Sequence, residues 1–353
     1  MNLSKVCFFG FFGLIVTCQY ALADRIVLVA GGSEDAVGIP ATQAKLKEPF
    51  GVDFDQLGNL WIIEMFSGNR LLKVNTAGVL THVAGQLTAG FSGDGGPALK
   101  AQFHGPHNLA VDHDGNVYIG DTWNGRVRKV NVSSGQVTTQ SGFEVPLDKA
   151  KGSGPYCITF DFTGKKLYVA DLRRVSVIDV ESGQSSVVAG NGEKGIPNDG
   201  VTAITAPLVD PRAVAADRLG NVYILERGGH ALRVVDPQGN IRTVVNSSGK
   251  KGNDGDGGFG VSATMNGPKH LCIDRDNSVI IADAENNVVR RYNPVDRKIT
   301  RIAGTGQNGN NGLGGDPLKC PLKRPHGVTV HPKSGELYIT DSYNDRILKI
   351  VKE

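Results

Sequence analysis

The chain has 353 residues, of which 40% are hydrophobic and 47 are glycine, and it carries 38 Lys and Arg against 35 Asp and Glu. So even a charge balance gives no broad basic field for a nucleic-acid backbone. Beyond the N-terminus, no segment approaches the ~20 apolar residues that span a bilayer.

Residues 1–23 read as a signal peptide: Lys5, an apolar run from Val6 to Val16, then Ala21-Leu22-Ala23 as a small-x-small cleavage site. The expected mature chain, 24–353, is a single domain that is secreted or periplasmic. A lipoprotein reading through Cys18 is weaker, because Thr17 stands where a smaller residue is expected. Two of the five cysteines fall in the leader, leaving Cys157, Cys272 and Cys320. The first two lie in apolar strands and read as buried thiols, with one disulfide left open by the odd count. Asn131-Val132-Ser133 and Asn246-Ser247-Ser248 match the glycosylation acceptor pattern.

From Pro49 onward one unit recurs six times, opened by Pro49, Pro106, Pro155, Pro211, Pro268 and Pro325 at spacings of 57, 49, 56, 57 and 57 residues. Each unit reads as two alternating strands about a turn, as in PHNLAVDHDGNVYIGD, followed by a third strand and a fourth such as THVAG or TRIAG. Four short strands per repeat describe the blade of a β-propeller. The sixth copy stops after its third strand, and RIVLVAGG at residues 25–32 has the pattern of the missing fourth. The expected fold is therefore an all-β, six-bladed propeller, with the N-terminal strand completing the last blade and leaving no open edge.

The strings DGNVYIGDTWNGRVRKV, GNLWIIEMFSGNRLLKV and GELYITDSYNDRILKI resemble the NHL repeat, and FSGDGGPALKAQFHGP resembles the inter-blade loop of secreted bacterial NHL proteins. The resemblance covers essentially residues 25–353. It implies the propeller fold but not one function, because propellers host many activities. NHL relatives include RNA-binding domains, adhesion domains and a zinc-dependent peptidylamidoglycolate lyase. The gluconolactonase family is a more distant six-bladed resemblance.

Two repeat positions are expected to converge on one mouth of the channel. The carboxylates closing the second strands, Glu64, Asp121, Asp171, Glu226, Asp283 and Asp341, are acidic in every blade. That uniformity points to a structural job, accepting backbone N–H groups or pairing with Arg70, Arg126 and Arg346. The residues after the prolines, Phe50, His107, Tyr156, Arg212, Lys269 and His326, differ from blade to blade. No shared folding requirement explains such a set, so it marks the candidate site.

Three functional classes remain, of which RNA binding, implied by cytosolic NHL relatives, ranks last because secretion and a near-neutral charge oppose it. The leading one is a module that binds an extracellular protein, peptide or small ligand through Lys269, Phe50, Asn108 and Trp123, with Met65 and Phe66 on the rim. The second is a metal-dependent lyase or hydrolase. The resemblance to the lyase implies zinc held by Pro-His histidines, here His107 and His326, with Tyr156 and Arg212 in catalysis. His270 is the third histidine candidate, although it follows Lys269 and in a regular strand points to the opposite side. The lactonase resemblance implies calcium instead, held by Asn108 with Asp121, Asp171 or Glu226. The Gly-Asp loops bearing Asp94, Asp254, Asp256 and Asp316 lack EF-hand spacing, and their glycines read as turn formers.

Overall fold

The computed structural model describes residues 24–32, 38–145 and 153–352; the expected signal peptide lies outside them. Six antiparallel sheets follow one another along the chain. Their inner strands begin at Pro49, Asn108, Cys157, Pro211, His270 and Gly327. Each inner strand neighbours the next, and the last neighbours the first, so the sheets close into a ring around a channel. Blades 1 to 6 are numbered here from Pro49. Five blades have four strands; blade 4 gains a fifth, the two-residue Val201–Thr202, on its outer edge.

Closure follows the sequence expectation. Arg25–Gly31 pairs antiparallel with Arg346–Val351, with Ile26 opposite Ile350 and Leu28 opposite Leu348. A register shift between Leu28 and Ala30 bends this strand. Ile26 is fully buried among Ile339, Leu348 and Leu322.

The short strands suit their turns. In blade 2, Asp112 Oδ1 accepts the amides of Asp114 and Asn116 at 3.0 and 2.8 Å, and Asn116 Nδ2 donates to its Oδ2 at 2.9 Å. Gly115 takes φ +82°, open to glycine and strained for most side chains. Asp55 with Asn59 and Asp217 with Asn221 repeat this hairpin. The core consists of apolar layers between blades rather than one central mass. Trp61, Ile63 and Phe103 pack with Leu109 and Ile119 between blades 1 and 2.

Inner strands are aimed by a clamp that the repeat pattern did not reveal. The amide of the residue before the opening proline donates to a side chain of the preceding blade in four blades. The pairs are Glu48 to Asp345, Gly105 to Asn69, Gly267 to His230 and Arg324 to Asn287, at 2.9 to 3.0 Å. All eight residues have positive φ. Glu48 and Arg324 hold this conformation without being glycine, a strained choice that marks the rim of one channel mouth.

Candidate functional site

Five of the six carboxylates are buried rather than open on the mouth, contrary to the sequence expectation, and the half-buried Asp171 accepts the Arg173 and Arg174 amides at 2.8 and 2.7 Å. Glu64, Asp121, Glu226, Asp283 and Asp341 are fully buried. Asp121 is representative: it accepts the His104 amide at 2.7 Å and Asn124 Nδ2 at 2.8 Å, and pairs with Arg128 at 3.3 Å. Two of the three expected arginine partners hold, and the one in blade 2 differs. Arg70 and Arg346 pair with Glu64 and Asp341, but Arg126 pairs with Glu144, and in blades 2, 4 and 5 the buried Arg128, Arg233 and Arg290 hold the carboxylate. Arg128 and Arg290 also bind the loop carboxylates Asp94 and Asp256, which ties the Gly-Asp loops to the blades. These carboxylates are spent on architecture.

The varied residues after the prolines do gather. Phe50, His107, Tyr156, Arg212, Lys269 and His326 line one cavity of about 130 Å³, together with Met65, Arg227, His270, Arg324 and Tyr343. Aromatic contacts fix its walls. Phe50 stacks on His326 at 4.1 Å between ring centroids and meets His107 edge-on at 5.6 Å. Tyr156 packs edge-on against His107 at 4.9 Å, and the Arg212 guanidinium lies 3.5 Å over the Tyr156 ring.

Among the described residues four cations, Arg212, Arg227, Lys269 and Arg324, line this mouth, and no carboxylate does. Two carboxylates stand behind them. Asp210 pairs with Arg212 at 2.9 Å and Arg227 at 2.7 Å. The Arg212 contact has the distance of an ion pair but poor hydrogen-bond alignment, and leaves both atoms without a bond. Glu285 pairs with Arg324 at 2.5 Å and Lys269 at 3.5 Å. Four positive charges less two negative ones leave a formal surplus of two, in a pocket where low polarisability strengthens each interaction.

This field sets the protonation of its neighbours. Burial, then the charge on Arg212, pulls the His107 ring from 6.5 down to about 3. Burial and Lys269 hold His326 well below the usual histidine range. Both rings are therefore neutral at pH 7. Nδ1 of each lies 2.8 Å from a backbone carbonyl, Gly105 or Arg324, so Nδ1 carries the proton and Nε2 keeps its lone pair. Burial, followed by Arg227, brings the Lys269 ammonium from 10.5 to about 8, with Glu285 opposing.

A metal fits this mouth poorly. Among the described residues no group of three His, Cys, Asp or Glu side chains is placed to hold an ion. Phe50 sits against both His107 and His326. His270 reaches neither through a free nitrogen: its Nδ1 accepts the Val328 amide at 3.3 Å and its Nε2 lies 2.8 Å from Asn108 Nδ2. A net positive pocket also repels a cation.

Asn108 lies below the mouth. It lines a larger cavity of about 300 Å³, and His270 lines both that cavity and the mouth. Small residues make room for Asn108: a Cβ on Gly51 would stand 2.7 Å from the Asn108 Cα. Trp123 sits on the rim, its ring 4.7 Å from exposed Phe66 and 6.2 Å from His107. Cys157, Cys272 and Cys320 are all free thiols.

Arg227, Arg324 and Tyr343 were missed by alignment on the prolines. Their signal was present in neighbouring columns. Asp210 and Arg324 directly precede their prolines, where Gly105, Gly154 and Gly267 stand in other blades. Tyr343 and Glu285 stand two residues after their carboxylates, and Arg227 stands one after.

Fold and site together define a six-bladed propeller of NHL repeats with a cationic, aromatic-walled mouth. Residues 92–352 match the teneurin NHL domain, and the chain belongs to that family. Human Teneurin-1 is 28% identical over 228 residues, which are 59% of this chain and 8% of Teneurin-1. The chain spans a quarter or less of the length of the first curated relatives it matches. Among solved structures, an auxiliary nutrient binding protein from Bacteroides thetaiotaomicron superposes with a TM-score of 0.70 at 14% identity, over 94% of this chain and 77% of that one. Virginiamycin B lyase from Staphylococcus aureus superposes with a TM-score of 0.54 at 15% identity, over 87% and 97%. At such identities the likeness is one of fold.

Proposed function

We propose that this protein is a ligand-binding propeller, working outside the cytoplasm, that captures the anionic group of a small molecule or peptide end in the channel mouth. The observation that carries the reading is the surplus of Arg212, Arg227, Lys269 and Arg324 over Asp210 and Glu285. Planar guanidinium groups match a carboxylate with paired donors. Phe50, Tyr156 and Tyr343 supply apolar walls for the rest of the ligand, and Phe66 and Trp123 extend them outward. The extracytoplasmic placement rests on the sequence of residues 1–23 alone.

Metal-dependent lysis or hydrolysis is the weaker reading. It needs a third ligand and a tolerance for positive charge, and the mouth offers neither.

The chain supplies its own probe. Of two tryptophans, Trp61 is fully buried and Trp123 stands at the rim. Titration with acetate, benzoate and citrate is expected to give a saturable change in Trp123 fluorescence, weakened roughly tenfold or more in an Arg212→Gln, Arg324→Gln double variant. A wild-type response to none of the three anions, or equal affinity in the folded double variant, would remove this reading.

A further inference from the structure

We propose that Lys269 forms an imine with ligands that carry an aldehyde or ketone next to a carboxylate, so that the mouth holds oxo acids covalently and reversibly. This rests on the anion-binding reading and deepens it.

The placement of Lys269 is the starting point. Its amide donates to the Ala282 carbonyl at 3.0 Å, which fixes the backbone at the mouth end of blade 5, and its side chain is 15% exposed. Among the described residues that line the pocket, it is the one primary amine. Arg212, Arg227 and Arg324 cannot discharge near neutrality, so the crowding of positive charge is relieved at Lys269. Among the described residues its ammonium pairs with one carboxylate, Glu285 at 3.5 Å, and Arg324 holds the same oxygen more tightly at 2.5 Å. Burial with these cations brings the amine to about 8. A desolvated lysine beside other cations is the usual setting of an amine nucleophile.

The remaining groups fit the chemistry. A guanidinium holds the carboxylate and leaves the adjoining carbonyl carbon for Nζ. The neutral amine adds to that carbon, the C=O pair moves to oxygen, and one N–H proton transfers to it. The carbinolamine then loses its oxygen as water with the second proton, while the nitrogen lone pair closes C=N. Amine and carbonyl give imine and water, and nothing is oxidised or reduced. His326 lines the same pocket with its ring neutral, so it adds no further positive charge beside the amine. Tyr156, Tyr343, His107 and His270 complete the titratable surroundings.

Trapping with cyanoborohydride is the test. Full-length protein is incubated with pyruvate and reductant, then mapped by mass spectrometry. The expected result is modification at Lys269 about tenfold faster than at surface lysines, no such preference with acetone, and loss of the fast adduct in Lys269→Arg. Propionate, which has the carboxylate without the carbonyl, is titrated in parallel by Trp123 fluorescence. Propionate binding without preferred modification of Lys269 overturns the imine and leaves the anion site standing. No binding of propionate, acetate, benzoate or citrate overturns both.

Discussion

Asn108 of blade 2 and His270 of blade 5 meet across the channel, amide Nδ2 to ring Nε2 at 2.8 Å. The other end of the same amide accepts the Ile158 N–H at 3.1 Å, so one side chain links three blades. Asn108→Ala strands the buried Ile158 N–H and leaves His270 Nε2 without its partner across the channel. It is expected to cost about 1–3 kcal/mol, read as a lower urea midpoint. An unchanged midpoint contradicts the structural role given to Asn108.

The buried arginines make a sharper contrast. Arg128 is wholly buried and serves Asp121, Asp94 and the Ser92 carbonyl. Arg128→Ala leaves a buried carboxylate unpaired, with an expected loss of about 3–5 kcal/mol. Arg126, two residues earlier, serves exposed Glu144 and the Val145 carbonyl. Its replacement by alanine is expected to cost about 1–2 kcal/mol. Thermal melts of the two variants check the order, and a reversed order would mean that Arg126 is the true partner of Asp121.

Anion affinity should follow pH in one direction. The ammonium of Lys269, at about 8, is charged below that value and lost above it, so affinity for benzoate is full at pH 7 and falls as pH rises toward 9. His107, at about 3, stays neutral from pH 5 to 7 and adds no charge there; His326 lies well below its usual value for the same reason. The profile is therefore flat from pH 5 to 7. An affinity that climbs steadily as pH drops through 6 points to a titrating histidine and against this assignment of charges.

Ring closure is testable at Ile26, fully buried where the first strand meets the last. Ile26→Ala is expected to cost about 2–5 kcal/mol, while Val295→Ala, at an 87% exposed side chain, costs almost nothing. Equal stability of the two variants would show that the N-terminal strand contributes little to the closed ring.

The repeat made the fold legible because each blade solves the same problem with the same pattern, and the truncated last copy exposed the closure. The mouth was legible where blades disagree: Phe50, His107, Tyr156, Arg212, Lys269 and His326 differ in chemistry and converge. Arg324 and Arg227 were harder to find, because they enter from turns whose aim is set by contacts between blades. The Asn287 side chain that holds the Arg324 amide is 37 residues away in sequence. His270 illustrates the same limit. Alternation along its strand turns it away from the residue before it, but only the ring places Asn108 opposite it.

The central claim is that the mouth attracts anions. A crystal soaked in sodium bromide and measured at the bromine edge tests it without choosing a ligand. The account predicts an anomalous peak among Arg212, Arg227, Lys269 and Arg324. Bromide bound only elsewhere on the surface, or a soaked zinc ion occupying that position instead, would contradict it.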